Sequence, residues 1–205
     1  MILPPPACVL YYTGCMPASD AERWDARYRD GVRYGSQHQP RRFLVENAHL
    51  LPAQGLALDV AMGMGGNAAY LLSRGLRVVG IDVSSVAVRQ AKRRLPDLMA
   101  VIADLRRFYL PAARFDVILN FFYLQRELWG DYQRALRPGG ILILETLTLD
   151  MLSVNPEIDP QYLLQPGELK TAFAHWQILE SREGWVAMDT PRPRAVASLV
   201  ARRPK

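Results

Sequence analysis

The stretch LDVAMGMGGNAAYLLSRG, residues 58–75, decides how this chain is read. It begins inside a short apolar run, LALDVA, of strand length. A glycine-studded turn follows, carrying Gly63, Gly65 and Gly66. GNAAYLLSR then reads as a helix, with Gly75 just past its end. A strand, a glycine turn and a helix in that order begin a nucleotide-type cofactor site, in the crevice outside the carboxyl ends of an α/β sheet. Ala61 stands where such a loop usually carries its first glycine.

The pattern continues on both sides. RVVGIDV is the next strand, and Ser84 or Ser85 caps the helix SVAVRQAKRRL, whose basic residues form its wet face. LMAVIAD and FDVILNFF are a third and fourth strand. LQRELWGDYQRAL is a helix closed by the turn RPGG, and ILILETL is a fifth strand. Upstream, Ser19 to Glu22 fits a capping box ahead of the helix AERWDARYRDG, which ends at Gly31. VRYGSQHQP is a loop, and Pro40 starts the helix PRRFLVENAHLL. Beyond Leu149 the chain is mostly irregular up to a helix near GELKTAF. HWQILESREG and AVASLVARR then form an antiparallel hairpin. This alternation predicts an α/β fold: a doubly wound, mostly parallel seven-stranded sheet, helices on both faces and an antiparallel C-terminal hairpin.

A chain of 205 residues, 50% of them apolar, can bury one substantial core. The expectation is a single domain over 19–205, behind a loosely ordered extension over 1–18 with Met16 as an alternative initiator. No apolar run reaches the roughly 18 residues of a membrane span, so a soluble, cytoplasmic protein is expected. The net charge of +5 is spread over small basic groups with no aromatic interleaving, which reads as solvated surface rather than a nucleic-acid stripe. Two cysteines, Cys8 and Cys15, give neither a disulfide framework nor a zinc pattern, and no histidine–carboxylate cluster suggests a metal.

Two acids sharpen the cofactor reading. Asp59 lies inside the first strand, four residues before Gly63; Asp82 ends the second, where a carboxylate takes ribose hydroxyls. A dinucleotide site would carry G-x-G-x-x-G with a helix N terminus facing a pyrophosphate. This chain carries D-x-A-x-G-x-G-G-N instead. An acid before the glycines suits an ammonium or sulfonium, and S-adenosylmethionine has both, plus a ribose.

On the glycine loop, Asp82, ADL and LRPGG, the chain resembles the class I (Rossmann-like) S-adenosylmethionine-dependent methyltransferases. More narrowly, Trp24–Tyr28 (W-D-x-R-Y), Gly63–Asn67 and Trp176–Glu180 resemble the tellurite-resistance/thiol-methyltransferase-like group. The resemblance implies cofactor contacts from Asp59, Ala61, Gly63, Gly65 and Asn67 around the methionine moiety. It implies Asp82 on the ribose, Val83 beside the adenine, Asp104 and Leu105 at its amino edge, and Asn120 on the methyl-transfer face. An ordinary negative φ at Ala61 would make its methyl group cheap and leave the close approach to Gly63 and Gly65.

Methyl transfer from a sulfonium is an in-line displacement, so alignment and exclusion of water matter most. Candidate acceptor-side residues are Trp24, Tyr28, Tyr34, His38, Phe121, Phe122, Tyr123, Arg126 and Glu145. Among these, His38 and Tyr34 in a loop that could fold over the cofactor, and Arg126 as an anion-steering group, are the catalytic candidates. The expected acceptor is a small-molecule nucleophile, with a thiol, chalcogen or other soft anion as one class. Two other readings stay open. NFFY (120–123) sits where nucleic-acid amino methyltransferases carry Asn/Asp-Pro-Pro-Tyr, though without the prolines, and a non-catalytic S-adenosylmethionine-binding regulator would keep the same donor site. A monomer and a homodimer are both open.

Overall fold

Strands covered on both faces must be apolar throughout, and β2 (Leu56–Val60) is buried at all five positions. The computed structural model describes residues 10–11, 18–29, 38–187 and 193–205. Their contacts group into two compact units.

The first unit comprises residues 1–41 and 53–109. Its strands are β1 (Leu10–Tyr11), β2, β3 (Arg77–Asp82) and β4 (Met99–Ile102), in spatial order β1-β4-β3-β2 and all parallel. β1 falls within the expected N-terminal extension, whose remaining residues up to 17 lie outside the described ones. α3 (Gly66–Ser73) links β2 to β3, and α4 (Ser85–Arg94) links β3 to β4. α1 (Ala18–Arg29) packs on α4. Asp59 pairs with Gly80, and Asp82 with Ile102, so the loops leaving the three strand ends lie side by side.

The second unit comprises residues 42–52 and 110–205. It contains α2 (Arg42–Glu46), β5 (Phe115–Phe121), α5 (Leu128–Ala135), β6 (Leu136–Leu147), α6 (Glu168–Ala172), β7 (Gln177–Val186) and β8 (Arg194–Arg202). β5 runs parallel to β6, while β8 is antiparallel to both β6 and β7. The expected α/β class, mostly parallel with an antiparallel C-terminal hairpin, is therefore met. The seven expected strands are all present, joined by the two-residue β1.

Differences lie at element ends. α2 begins at Arg42, not Pro40, because the Arg41 N–H is drawn to Asn67 Oδ1 at 2.8 Å. RPGG is absorbed into β6 through a register shift opposite Phe115 and Val117, with Gly139 at φ +79°. The irregular stretch after Leu149 is anchored, since Met151 and Leu163 pack with Ala195 in a small satellite core.

Asn120 is fully buried, and its amide donates to the Tyr132 hydroxyl at 2.8 Å. Its Oδ1 has no partner among the described residues. Tyr132→Phe therefore leaves a buried amide with neither end paired. Urea denaturation should show a loss of about 1–3 kcal/mol.

Candidate donor site

The loop after β2 is built by alternation. Ala61, Gly63 and Gly65 take φ values of +51°, +54° and +73°. Met62 and Met64 between them are 6% and 7% exposed and turn into the core. Met62 lies over Gly80, where a Cβ would come within 2.1 Å of its sulfur. The loop is thus pinned by methionines at every second position, and each position between must be left-handed. Ala61 does not have the negative φ that would make its methyl group cheap, because it falls on the same alternation as the two glycines. A non-glycine residue there costs roughly 1–2 kcal/mol, partly offset by the smaller entropy of an unfolded alanine. Ala61→Gly should raise stability by about 0.5–1 kcal/mol in thermal melts.

Under this loop lie two buried carboxylates. Asp59 is 1% exposed and Asp82 6%. Asp82 Oδ2 accepts the Gly63 N–H at 2.8 Å, and Oδ1 accepts the Ser84 N–H at 2.8 Å. Asp59 accepts from the Ala68 N–H and the Asn67 side chain. Its Oδ2 is buried with no partner among the described residues. Burial pushes Asp59 up to about 7, against its hydrogen bonds and with help from the charge of Asp82. Burial likewise lifts Asp82 to about 6, opposed by the Ser84 and Gly63 N–H groups. An orphaned carboxylate oxygen of this kind needs a cation or donor. A phosphate would meet repulsion instead. The room at the N terminus of α3 is also filled, since a Cβ on Gly66 would lie 2.3 Å from the Gln39 carbonyl oxygen.

The other candidates separate clearly. Asn67 ties Asp59 to the Arg41 backbone. Val83 is half-buried beside Asp82, and Leu105 is 5% exposed. Asp104 is engaged by Arg106, which takes both its oxygens at 2.8–3.1 Å. This pairing, with the Arg106 N–H, outweighs burial and holds the carboxyl below its usual value. His38 is exposed, with its Nδ1 against the Arg94 guanidinium; partial burial and that charge lower its pKa. Tyr34 lies outside the described residues. Asn120 and Arg126 belong to the second unit. Arg126 binds Glu168 through two bonds of 2.5 and 2.9 Å and the carbonyls of Gln161 and Leu163. Its guanidinium fastens α6 and the segment before it. Glu145 is buried and accepts from Ser198 Oγ at 2.7 Å and from Arg182 at 3.2 Å. With Arg42, Val186 and Ala187, Glu145 and Arg182 line a cavity of about 180 Å³.

Three residues show features that the sequence did not specify: Asp25 stands there only within W-D-x-R-Y, and Tyr28 and Phe122 only among the acceptor-side candidates. Asp25 caps α4 through Ser84, Ser85 and the Val86 N–H. Tyr28 brings its hydroxyl to the place where a Gly63 Cβ would be, 2.6 Å away; burial and the charge of Asp82 push its pKa far upward. Phe122 follows β5 at φ +56°, a strained conformation for a bulky residue.

Residues 57–140 match the family described as "Methyltransferase domain". The chain is 29% identical over 146 residues to a malonyl-[acyl-carrier protein] O-methyltransferase of Enterobacter lignolyticus, covering 67% of this chain and 58% of that protein. It is 36% identical over 95 residues to a trans-aconitate 2-methyltransferase of an Azoarcus species, covering 43% and 37%. The chain thus spans little more than half, or less, of these curated relatives. The chain also shares its fold with the crystal structure of TehB from Haemophilus influenzae, at 16% identity and a TM-score of 0.68, covering 88% of this chain and 67% of that one. Among the described residues, no helix is long and apolar enough to cross a membrane, and no group of three or more metal-type ligands occurs.

Because both buried acids have raised pKa values, the folded state binds more protons than the unfolded one between about pH 4 and pH 7. The stability they contribute is fully present below the unfolded carboxylate range and is lost as pH rises through about 6 and 7. The ion-paired acids Asp25, Glu46, Asp104 and Glu168 shift downward and act below that window. The ligand-free protein should therefore lose stability from pH 5 to 7.5. Asp59→Asn should make that slope shallower in chemical denaturation across the same range.

Proposed function

We propose that the protein is an S-adenosylmethionine-dependent methyltransferase acting on a small-molecule nucleophile, with residues 19–205 working as one methyltransferase domain. The observation that carries this reading is the unpartnered Asp59 Oδ2, buried beside Asp82 under a left-handed loop. The residues present fit this donor. Asp59, with the backbone of Ala61, Gly63 and Gly65 and the amide of Asn67, suits its amino-acid end. Asp82 suits the ribose hydroxyls, and Val83, Leu105 and Asp104 suit the adenine. When bound, the donor supplies an electrophilic methyl on a cationic sulfur.

The chain's task is then to orient the donor, neutralise its ammonium and keep water away. The described residues offer no paired base resembling a nucleophile-activating dyad, which favours an acceptor that arrives already anionic. A thiolate, a chalcogen anion or another soft anion meets that demand, and the resemblance to the tellurite-resistance/thiol-methyltransferase-like group supports it. The trans-aconitate and malonyl relatives support small acceptors more generally.

S-adenosylhomocysteine, which keeps the ammonium and ribose, is the probe. Calorimetry should show tight binding by the native chain. Asp59→Asn and Asp82→Asn should each weaken it about 10- to 100-fold, the scale of a lost charged hydrogen bond. Binding near pH 6.5 should release protons, read by comparing buffers of different ionisation enthalpy, because the ligand's positive charge draws Asp59 into its ionised form. Tight NAD binding without S-adenosylhomocysteine binding would sink the reading. A labelled-methyl assay over thiols, selenite, tellurite, halides and small phenols then tests the acceptor class. Turnover of a thiol or chalcogen is the expected outcome.

A further inference from the structure

α1 is fastened to its neighbour by a side chain that lies outside the donor contacts just assigned. Asp25 Oδ1 accepts from Ser84 Oγ at 2.6 Å and from the Val86 N–H at 3.1 Å, and Oδ2 accepts from Ser85 Oγ at 3.1 Å. These donors form the first turn of α4, a helix of ten residues. Such a turn presents unpaired N–H groups and the positive end of the helix dipole, so a carboxylate there is held by both. The Asp25 side chain is 15% exposed. Burial pushes its pKa up, but the bonds from Ser84, Val86 and Ser85 outweigh that and leave it below the usual value. At the other end of α1, Asp20 meets Arg106 at 3.1 Å with the two side chains 33% and 44% exposed. A pair that open contributes little.

Ser84 joins this contact to the donor site. Its Oγ donates to Asp25 and accepts from the Ala87 N–H at 3.1 Å, while its own N–H donates to Asp82 Oδ1. One turn further along α1, Tyr28 packs its hydroxyl over Gly63, whose N–H donates to the other oxygen of Asp82. α1 therefore reaches Asp82 twice, through Asp25 and Ser84 at one point and through Tyr28 and Gly63 at another.

We propose that Asp25 is a positioning residue for donor binding: by capping α4 it docks α1 so that Tyr28 completes the wall of the loop beside Asp82. The proposal rests on the donor reading above. It requires that donor binding and α1 docking strengthen each other, because coupling between two equilibria is reciprocal.

The test uses the full chain, S-adenosylhomocysteine as probe, calorimetry, and hydrogen exchange over residues 20–29. Asp25→Ala should weaken binding at least tenfold and speed exchange in α1, with the exchange of β2 and β3 unchanged. Asp25→Asn, which keeps the shape and one acceptor, should fall between it and the native chain, and covers the case of an Asp25→Ala chain that does not fold. Ser84→Ala combined with Asp25→Ala should cost less than the sum of the two single changes. Asp20→Asn should bind within twofold of native. In the native chain the probe should slow α1 exchange by a factor of the same order as the affinity lost in Asp25→Ala. Native-like binding by Asp25→Ala overturns the proposal, as does tighter binding, which would make α1 an obstruction, or α1 exchange indifferent to the probe. A native chain that does not bind the probe overturns the donor reading and this role with it. Native binding with an unaffected Asp25→Ala overturns this role alone.

Discussion

Two carboxylates buried beneath one loop set the terms for the first unit. Asp59 and Asp82 stand on adjacent parallel strands with almost no exposure. Nothing apolar around them tolerates two negative charges without compensation. The chain answers with backbone N–H groups from Gly63, Ser84 and Ala68. That answer is incomplete by one oxygen, on Asp59. The fold thus holds a deficit of positive charge at a fixed point, which is the charge a cationic ligand would supply.

The loop can deliver those N–H groups only because of its alternation. Met62 and Met64 are buried, so residues 61, 63 and 65 carry the turn and must adopt positive φ. At Gly63 the choice is also steric, since Tyr28 fills the space of a side chain. At residue 61 the chain accepts alanine and its strain instead. Strain of this kind persists where the surroundings over-determine the backbone, and here they do, through the methionine on each side of Gly63.

Charged groups that looked alike in sequence divide by environment. Arg94 looked like part of a solvated basic face, yet it donates to the Met64 carbonyl at 2.6 Å and so braces the glycine loop. Lys92 likewise binds the carbonyls of Pro96 and Leu98. Arg126 is consumed by Glu168 and two carbonyls. Arg182 bridges Glu46 and Glu145 and lies over the Phe43 ring at 4.5 Å. A guanidinium with five donors takes the acceptors within its reach, and the tertiary structure decides which ones those are.

The sequence by itself determined the α/β class, the strand order in the chain, the glycine turn and the two acids that give it a charge preference. These are local or periodic signals: apolar runs, caps, glycine placement and the spacing from Asp59 to Asp82. Tertiary structure alone decided the left-handed backbone of Ala61, the orphaned oxygen of Asp59, the capping of α4 by Asp25 from 59 residues away and the commitment of Arg126. None of these has a sequence period. Each depends on which side chain arrives from a distant segment to fill a space or meet a polar atom. W-D-x-R-Y was legible as a motif, but the work of Asp25 and Tyr28 within it became visible only when α1 was seen resting on α4 and Gly63.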